Sequence, residues 1–124
     1  MEDLHIEGTK RTPEIRMKTT GEITIEGRSV MEDAPRFYDA LFMWVFEYCK
    51  NPADQTVIHI NLEYSNSDSA VAILHLLKEL TQIKNQNKSL VVNWYYEQGD
   101  DDVLERGQYY ASILGIPFQF IEVE

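Results

Sequence analysis

Cysteine is nearly absent from this chain: its 124 residues include one, Cys49. An internal disulfide is therefore excluded, and the usage fits a reducing cytoplasm. A lone thiol in an apolar helical segment reads as buried and inert. Histidine is also sparse. His5, His59 and His75 lie far apart, with neither HxH nor HxxxH spacing, so no zinc set can be assembled. The six glycines form neither GxxxxGK nor GxGxxG, and the turns that would cradle a nucleotide phosphate lack glycine. Long hydrophobic runs are missing too: unbroken apolar stretches extend only a few residues, too short to span a membrane. The opening "MEDLHIEGTK" has no apolar segment of the kind a secretory signal needs.

Positive charge is scarce as well. Eleven Lys and Arg face 21 Asp and Glu, a formal net charge of −10. The excess is uneven. Residues 1–36 hold eight acids and six bases, and the rest hold thirteen acids and five bases. Such a surface repels nucleic acid and anionic lipid and suits a basic partner. What the chain does have is apolar material: 44% hydrophobic and 11% aromatic residues. That argues against disorder and for one domain, 1–124, with a substantial core.

"GEITIEG", Gly21 to Gly27, is the cleanest local signal. Ile23 and Ile25 alternate with Glu22, Thr24 and Glu26 between two glycines, as in a half-buried strand between turns. "TPEIRMK" upstream supplies a hairpin partner, and "LHI" a further short strand. Ala34 to Lys50 reads as a helix capped by Asp33, with Pro35 in its first turn. Phe37, Leu41, Trp44, Val45 and Tyr48 share one face. Phe42, Met43 and Phe46 widen the apolar surface beyond it, either as a partner or dimer surface or as packing for the N-terminal strands. Thr56 to Leu62 is β-branched with apolar residues on both faces, as in a central strand. Ser67 to about Asn87 is a second helix with a stripe of Ile73, Leu76, Leu77, Leu80 and Ile83. "SLVVNWYY", Ser89 to Tyr96, is another central strand. A third helix, Asp102 to Leu114, has an acidic first turn, Gly115 ends it, and "PFQFIEV" is the last strand. Strands alternating with helices imply crossovers and a largely parallel or mixed α/β sheet.

Among candidate sites, Asp100, Asp101 and Asp102 are consecutive, so their side chains diverge and read as a helix start rather than a calcium loop. His59, in a core strand, reads as a satisfied buried histidine. A small enzyme using the acidic loop with Tyr95 or Tyr96 has only composition behind it. The segment "EYSNSDSA", Glu63 to Ala70, is the most informative. It is not a GxSxG elbow, and no base adjoins Ser65, Ser67 or Ser69. Asn66 or Ser67 can cap the second helix, a contribution of about 1 kcal/mol. A phosphate on Ser67 would bring a charge of about −1.5 to −2 to a surface position.

Several segments resemble the SiaC family of bacterial regulatory phosphoproteins over nearly the whole chain. They are "LHIEGTKRTPEI", "GRS", the "FY" at Phe37–Tyr38, "LEYSNSDSA", "VNWYYEQGDDDVLE" and "PFQFIEV". The resemblance implies an α/β fold like that of STAS-domain anti-sigma-factor antagonists: a mixed sheet with an N-terminal hairpin followed by alternating helices and strands. It implies no catalytic activity; from the residues themselves, neither a cofactor nor a metal is expected. A Ser/Thr protein kinase phosphorylates a residue in Tyr-x-Asn-Thr/Ser, and a PP2C-type phosphatase reverses it. The unphosphorylated form binds and activates a GGDEF diguanylate cyclase, in cyclic-di-GMP signalling. Matched here, Tyr64 and Asn66 place the acceptor at Ser67, with Ser69 as the alternative. Tyr64, Ser65, Asn66, Asp68 and Ser69 then form the partner-binding surroundings. Asp68 departs from the family pattern by interrupting the hydroxyl run. An anti-sigma factor is the alternative effector, in a partner-switching pathway of transcription control.

Overall fold

The computed structural model describes all residues 1–124. Its elements, in chain order, are strands β1 (Leu4–Ile6), β2 (Glu14–Met17) and β3 (Glu22–Ser29), then helix α1 (Ala34–Tyr48). Strand β4 (Gln55–Ser65), helix α2 (Ser67–Leu80), strand β5 (Ser89–Glu97), helix α3 (Asp101–Leu114) and strand β6 (Phe118–Val123) follow. All six strands form one sheet in the order of the sequence. The first two junctions, β1–β2 and β2–β3, are antiparallel. From β3 to β6 the strands are parallel.

That strand order decides where the helices go. Each of the three crossovers steps one strand in the same direction, and right-handed crossovers of one sense put every helix on the same side. Burial agrees. Ile15, Met17, Ile23, Ile25, Ile58, Ile60, Val92 and Trp94 form a continuous floor under the helices. On the opposite side Val57, His59 and Asn61, and Val91, Asn93 and Tyr95, are only half-buried.

The strands of 56–62 and 89–96 are central, as expected, but their second faces carry no helix. The apolar residues there reflect position within the sheet, not a second layer. His59 is corrected accordingly. It lies on the open face, its Nδ1 is 3.0 Å from the Tyr95 hydroxyl, and its side chain is 24% exposed. Thr24, between Arg16 and His59 in the register, is 9% exposed; its long neighbours shield it without any covering element. Arg16 pairs with both Glu14 and Glu26 on this face.

Local chemistry sets the element ends. The Asp33 side chain accepts from the Arg36 amide, and Pro35 sits in the first turn of α1. The second helix stops at Leu80, not near Asn87. Residues Thr81–Gln86 tighten into a 3₁₀ segment that still buries Ile83, and Asn87 ends it in the left-handed region at φ 59°, a conformation that asparagine tolerates. Strand β4 runs three residues past Leu62, to Ser65. Strand β3 continues beyond Gly27 through a register shift between Gly27 and Arg28. Of the wide apolar face of α1, Phe42 packs against the core, while Met43 and Phe46 are 65% and 58% exposed.

Candidate functional site

Parallel strands β3 and β4 end side by side. Arg28 lies opposite Tyr64, and Ser29 opposite Ser65. Open α/β sheets bind their ligands beyond the carboxyl ends of the strands. All three helices begin at this end, capped by Asp33, Asn66 and Asp100.

Asn66 holds the corner. Its Oδ1 accepts from the Ser69 amide at 2.9 Å, its Nδ2 donates to the Met31 carbonyl at 3.0 Å, and its amide donates to the Ser29 carbonyl at 3.0 Å. One side chain thus caps α2 and ties it to the segment after β3.

The three serines of "SNSDS" have different fates. Ser69 is fully buried. Its Oγ accepts from Ser29 Oγ at 2.7 Å, Ser29 Oγ is 2.8 Å from the Tyr38 hydroxyl, and Ser69 Oγ is 3.5 Å from Met31 Sδ. Burial pushes the Tyr38 phenol up to about 12, against a smaller opposing effect of its bond to Ser29. Ser65 is half-buried and accepts from Arg106 Nη1 at 2.7 Å. Ser67 opens α2, is exposed, and its hydroxyl takes part in no hydrogen bond. Asp68 beside it is exposed. Tyr64 is 55% exposed, with the Arg28 guanidinium 5.8 Å from its ring centre.

The structure thus brings Tyr64, Ser65, Asn66, Ser67, Asp68 and Ser69 to one corner. It adds Arg28, Ser29, Met31, Tyr38 and Arg106. Nothing in the local pattern around Ser67 points to these five, which come from segments 29 to 39 residues away. A partial signal existed, since "GRS" and "FY" carry Ser29 and Tyr38, two members of the buried hydroxyl chain.

Beside this corner an open groove of about 330 Å³ is lined by Gly27, Glu63, Tyr95, Tyr96, Glu97 and Asp100. The internal cavity lined by Ser65, Arg106, Trp94 and Tyr110 measures about 20 Å³, space for roughly one water. Asp100 is spent on capping, accepting from the Val103 amide, and Tyr95 faces the open side of the sheet. The Cys49 thiol is buried, and burial followed by the nearby Glu79 carboxylate pushes it up to about 11, far from a reactive thiolate.

The model of the family described as "SiaC family regulatory phosphoprotein" matches residues 6–123. An uncharacterized protein of Pseudomonas aeruginosa (strain UCBPP-PA14) is 24% identical over 119 residues, 95% of this chain and 94% of that one. Among solved structures, apo-SiaC from Pseudomonas aeruginosa superposes with a TM-score of 0.88 at 24% identity, covering 98% of this chain and 99% of that chain. A chain in the crystal structure of the diguanylate cyclase SiaD in complex with its activator SiaC, from the same organism, gives a TM-score of 0.89 at 23% identity. That match covers 98% of this chain and 100% of the other.

Proposed function

The chain belongs to the SiaC family of regulatory phosphoproteins, and on that premise we propose that it is a non-enzymatic switch thrown by reversible phosphorylation of Ser67. The unphosphorylated form binds and activates a diguanylate cyclase, as the similar SiaC chain is described as the activator of SiaD. A Ser/Thr kinase adds the phosphate and a PP2C-type phosphatase removes it, in the cytoplasm. Tyr64, Ser65, Asn66, Asp68 and Ser69 surround the acceptor. The whole chain, 1–124, acts as one domain, and its helices on a single face of a sequentially ordered sheet suit the STAS-like layout.

One observation carries the choice of acceptor. Of the three serines, Ser67 alone presents an exposed and unengaged hydroxyl. Ser69 could take a phosphate only by breaking out of its buried chain with Ser29 and Tyr38, and a buried phosphate would be costly to desolvate. At Ser67 the added charge stays in water, where the fold tolerates it and a docked partner does not.

Intact-mass measurement after incubation with the cognate kinase and ATP tests the assignment. Wild type gains one phosphate and Ser67→Ala gains none; equal gain in both sinks it. In the switch itself, Ser67→Asp weakens cyclase binding more than tenfold, or above about 1.4 kcal/mol. Equal binding by Ser67→Asp and wild type would refute repulsion as the mechanism.

A further inference from the structure

Helix α3 runs alongside α2 in the same direction, and two places mark where they meet. The Tyr110 hydroxyl donates to the Ala70 carbonyl at 2.8 Å. One turn further on, Ile113 and Leu114 line a surface groove with Leu74 and Lys78. On α2, Ser67, Ala70, Leu74 and Lys78 fall at i, i+3, i+7 and i+11, one stripe of a helix. On α3, Arg106, Tyr110 and Ile113 fall at i, i+4 and i+7. One turn before the Tyr110–Ala70 contact, Arg106 lies on the α3 stripe and Ser67 on the α2 stripe, at the ends of the helices that begin on the same side of the sheet.

The present partner of Arg106 fits that placement. Its Nη1 donates to Ser65 Oγ, two residues before Ser67 and about 7 Å back along an extended chain. A guanidinium has five N–H donors, and this is the one side-chain bond that Arg106 makes. It belongs to none of the chain's ion pairs, although acids outnumber bases about two to one. The helix backbone beside it is held close to the sheet. The next residue, Gly107, lies flat on Trp94, where an added Cβ would come within 2.6 Å of the indole.

We propose that Arg106 is the reader of the Ser67 phosphate within the same chain. On phosphorylation its guanidinium leaves Ser65 and pairs with the phosphate, bridging the start of α2 to α3. Arginine suits this role because its planar fork engages phosphate oxygens through two parallel bonds. The pair alters the switch in two ways. It fixes the phosphate at the α2–α3 seam, and it releases the Ser65 hydroxyl from its only side-chain partner. Arg106 is a positioning residue, and the inference rests on Ser67 being the acceptor.

The test uses full-length protein with phosphoserine incorporated at position 67 during translation, so it needs no kinase. The phosphorus-31 shift is followed against pH in wild type, R106Q, R106K and R28Q. A nearby guanidinium favours the dianion, so the wild-type phosphate titrates below its ordinary value near 6. R106Q raises that midpoint by about 0.5 to 1 pH unit, R106K recovers part of the difference, and R28Q stays with wild type. Coincident titrations of wild type and R106Q overturn the proposal, as does an equal or larger shift in R28Q. Absence of kinase-added phosphate at Ser67 would instead defeat the acceptor assignment, leaving the titration as a statement about charge pairing alone.

Discussion

At the scale of single residues, a buried hydroxyl chain ties together the corner where β3 and α2 meet. Tyr38, Ser29 and Ser69 link α1, β3 and α2 through bonds of 2.8 and 2.7 Å, and all three residues are fully buried. A satisfied network of this kind holds its members in one geometry. Burial of the Tyr38 phenol makes stability depend on alkaline pH. The Tyr38 phenol stays neutral in the folded protein until about 12, whereas in the unfolded chain it ionises near 10. Its contribution is therefore complete below pH 10 and is lost as pH rises towards 12, up to about 3 kcal/mol. Cys49, pushed up to about 11, acts in the same direction from about pH 9. Urea unfolding at pH 8 and pH 11 reads this directly. The midpoint falls between the two, and falls less in Tyr38→Phe; an equal fall in both would show that the phenol stays solvated.

Elements meet the core through a few close approaches. Helix α3 lies near enough to β5 for Trp94 Nε1 to donate to the Val103 carbonyl at 2.9 Å, and Trp94 packs edge-on against Tyr110. Gly107 makes this possible. In Gly107→Ala the new methyl would overlap the indole, so α3 must move outward or Trp94 must leave its rotamer. Overpacking of this type costs about 1–3 kcal/mol, more than the gain of about 1 kcal/mol that alanine brings to an exposed helix position. A lower thermal midpoint with altered near-ultraviolet dichroism is expected, and a rise in the midpoint would show that the helix is free to shift. The sequence marked Gly115 as the end of α3, because a terminal glycine has a pattern. Gly107 carried no such mark, since its reason lies on a different strand.

At the scale of the whole molecule, stability should be graded across the sheet. Strand β1 is three residues long and pairs with β2 alone, while β3, β4 and β5 are bordered on both sides and floor the core. Hydrogen exchange followed by mass spectrometry should show the Leu4–Ile6 amides exchanging first and those of Ile58–Ile60 and Val92–Trp94 last, near the global unfolding limit. Equal protection across the sheet would contradict this ordering. By itself the sequence determined the elements and their types, because hydrophobic period, caps and turn residues act over a few neighbouring positions. The apolar stripe of α2, the Asp33 cap and the strand of Ile23 and Ile25 were all legible in this way. It also marked "SNSDS" as a helix start rich in hydroxyls. Tertiary structure alone decided that every helix lies on one face, leaving His59 and Tyr95 on the other, because that follows from strand order and crossover hand. It alone separated the three serines as well. Ser69 was buried by Ser29 and Tyr38, Ser65 was engaged by Arg106, and Ser67 was left free. Those partners come from distant stretches of the chain, and only the register of β3 on β4 and the seating of α3 bring them to one corner.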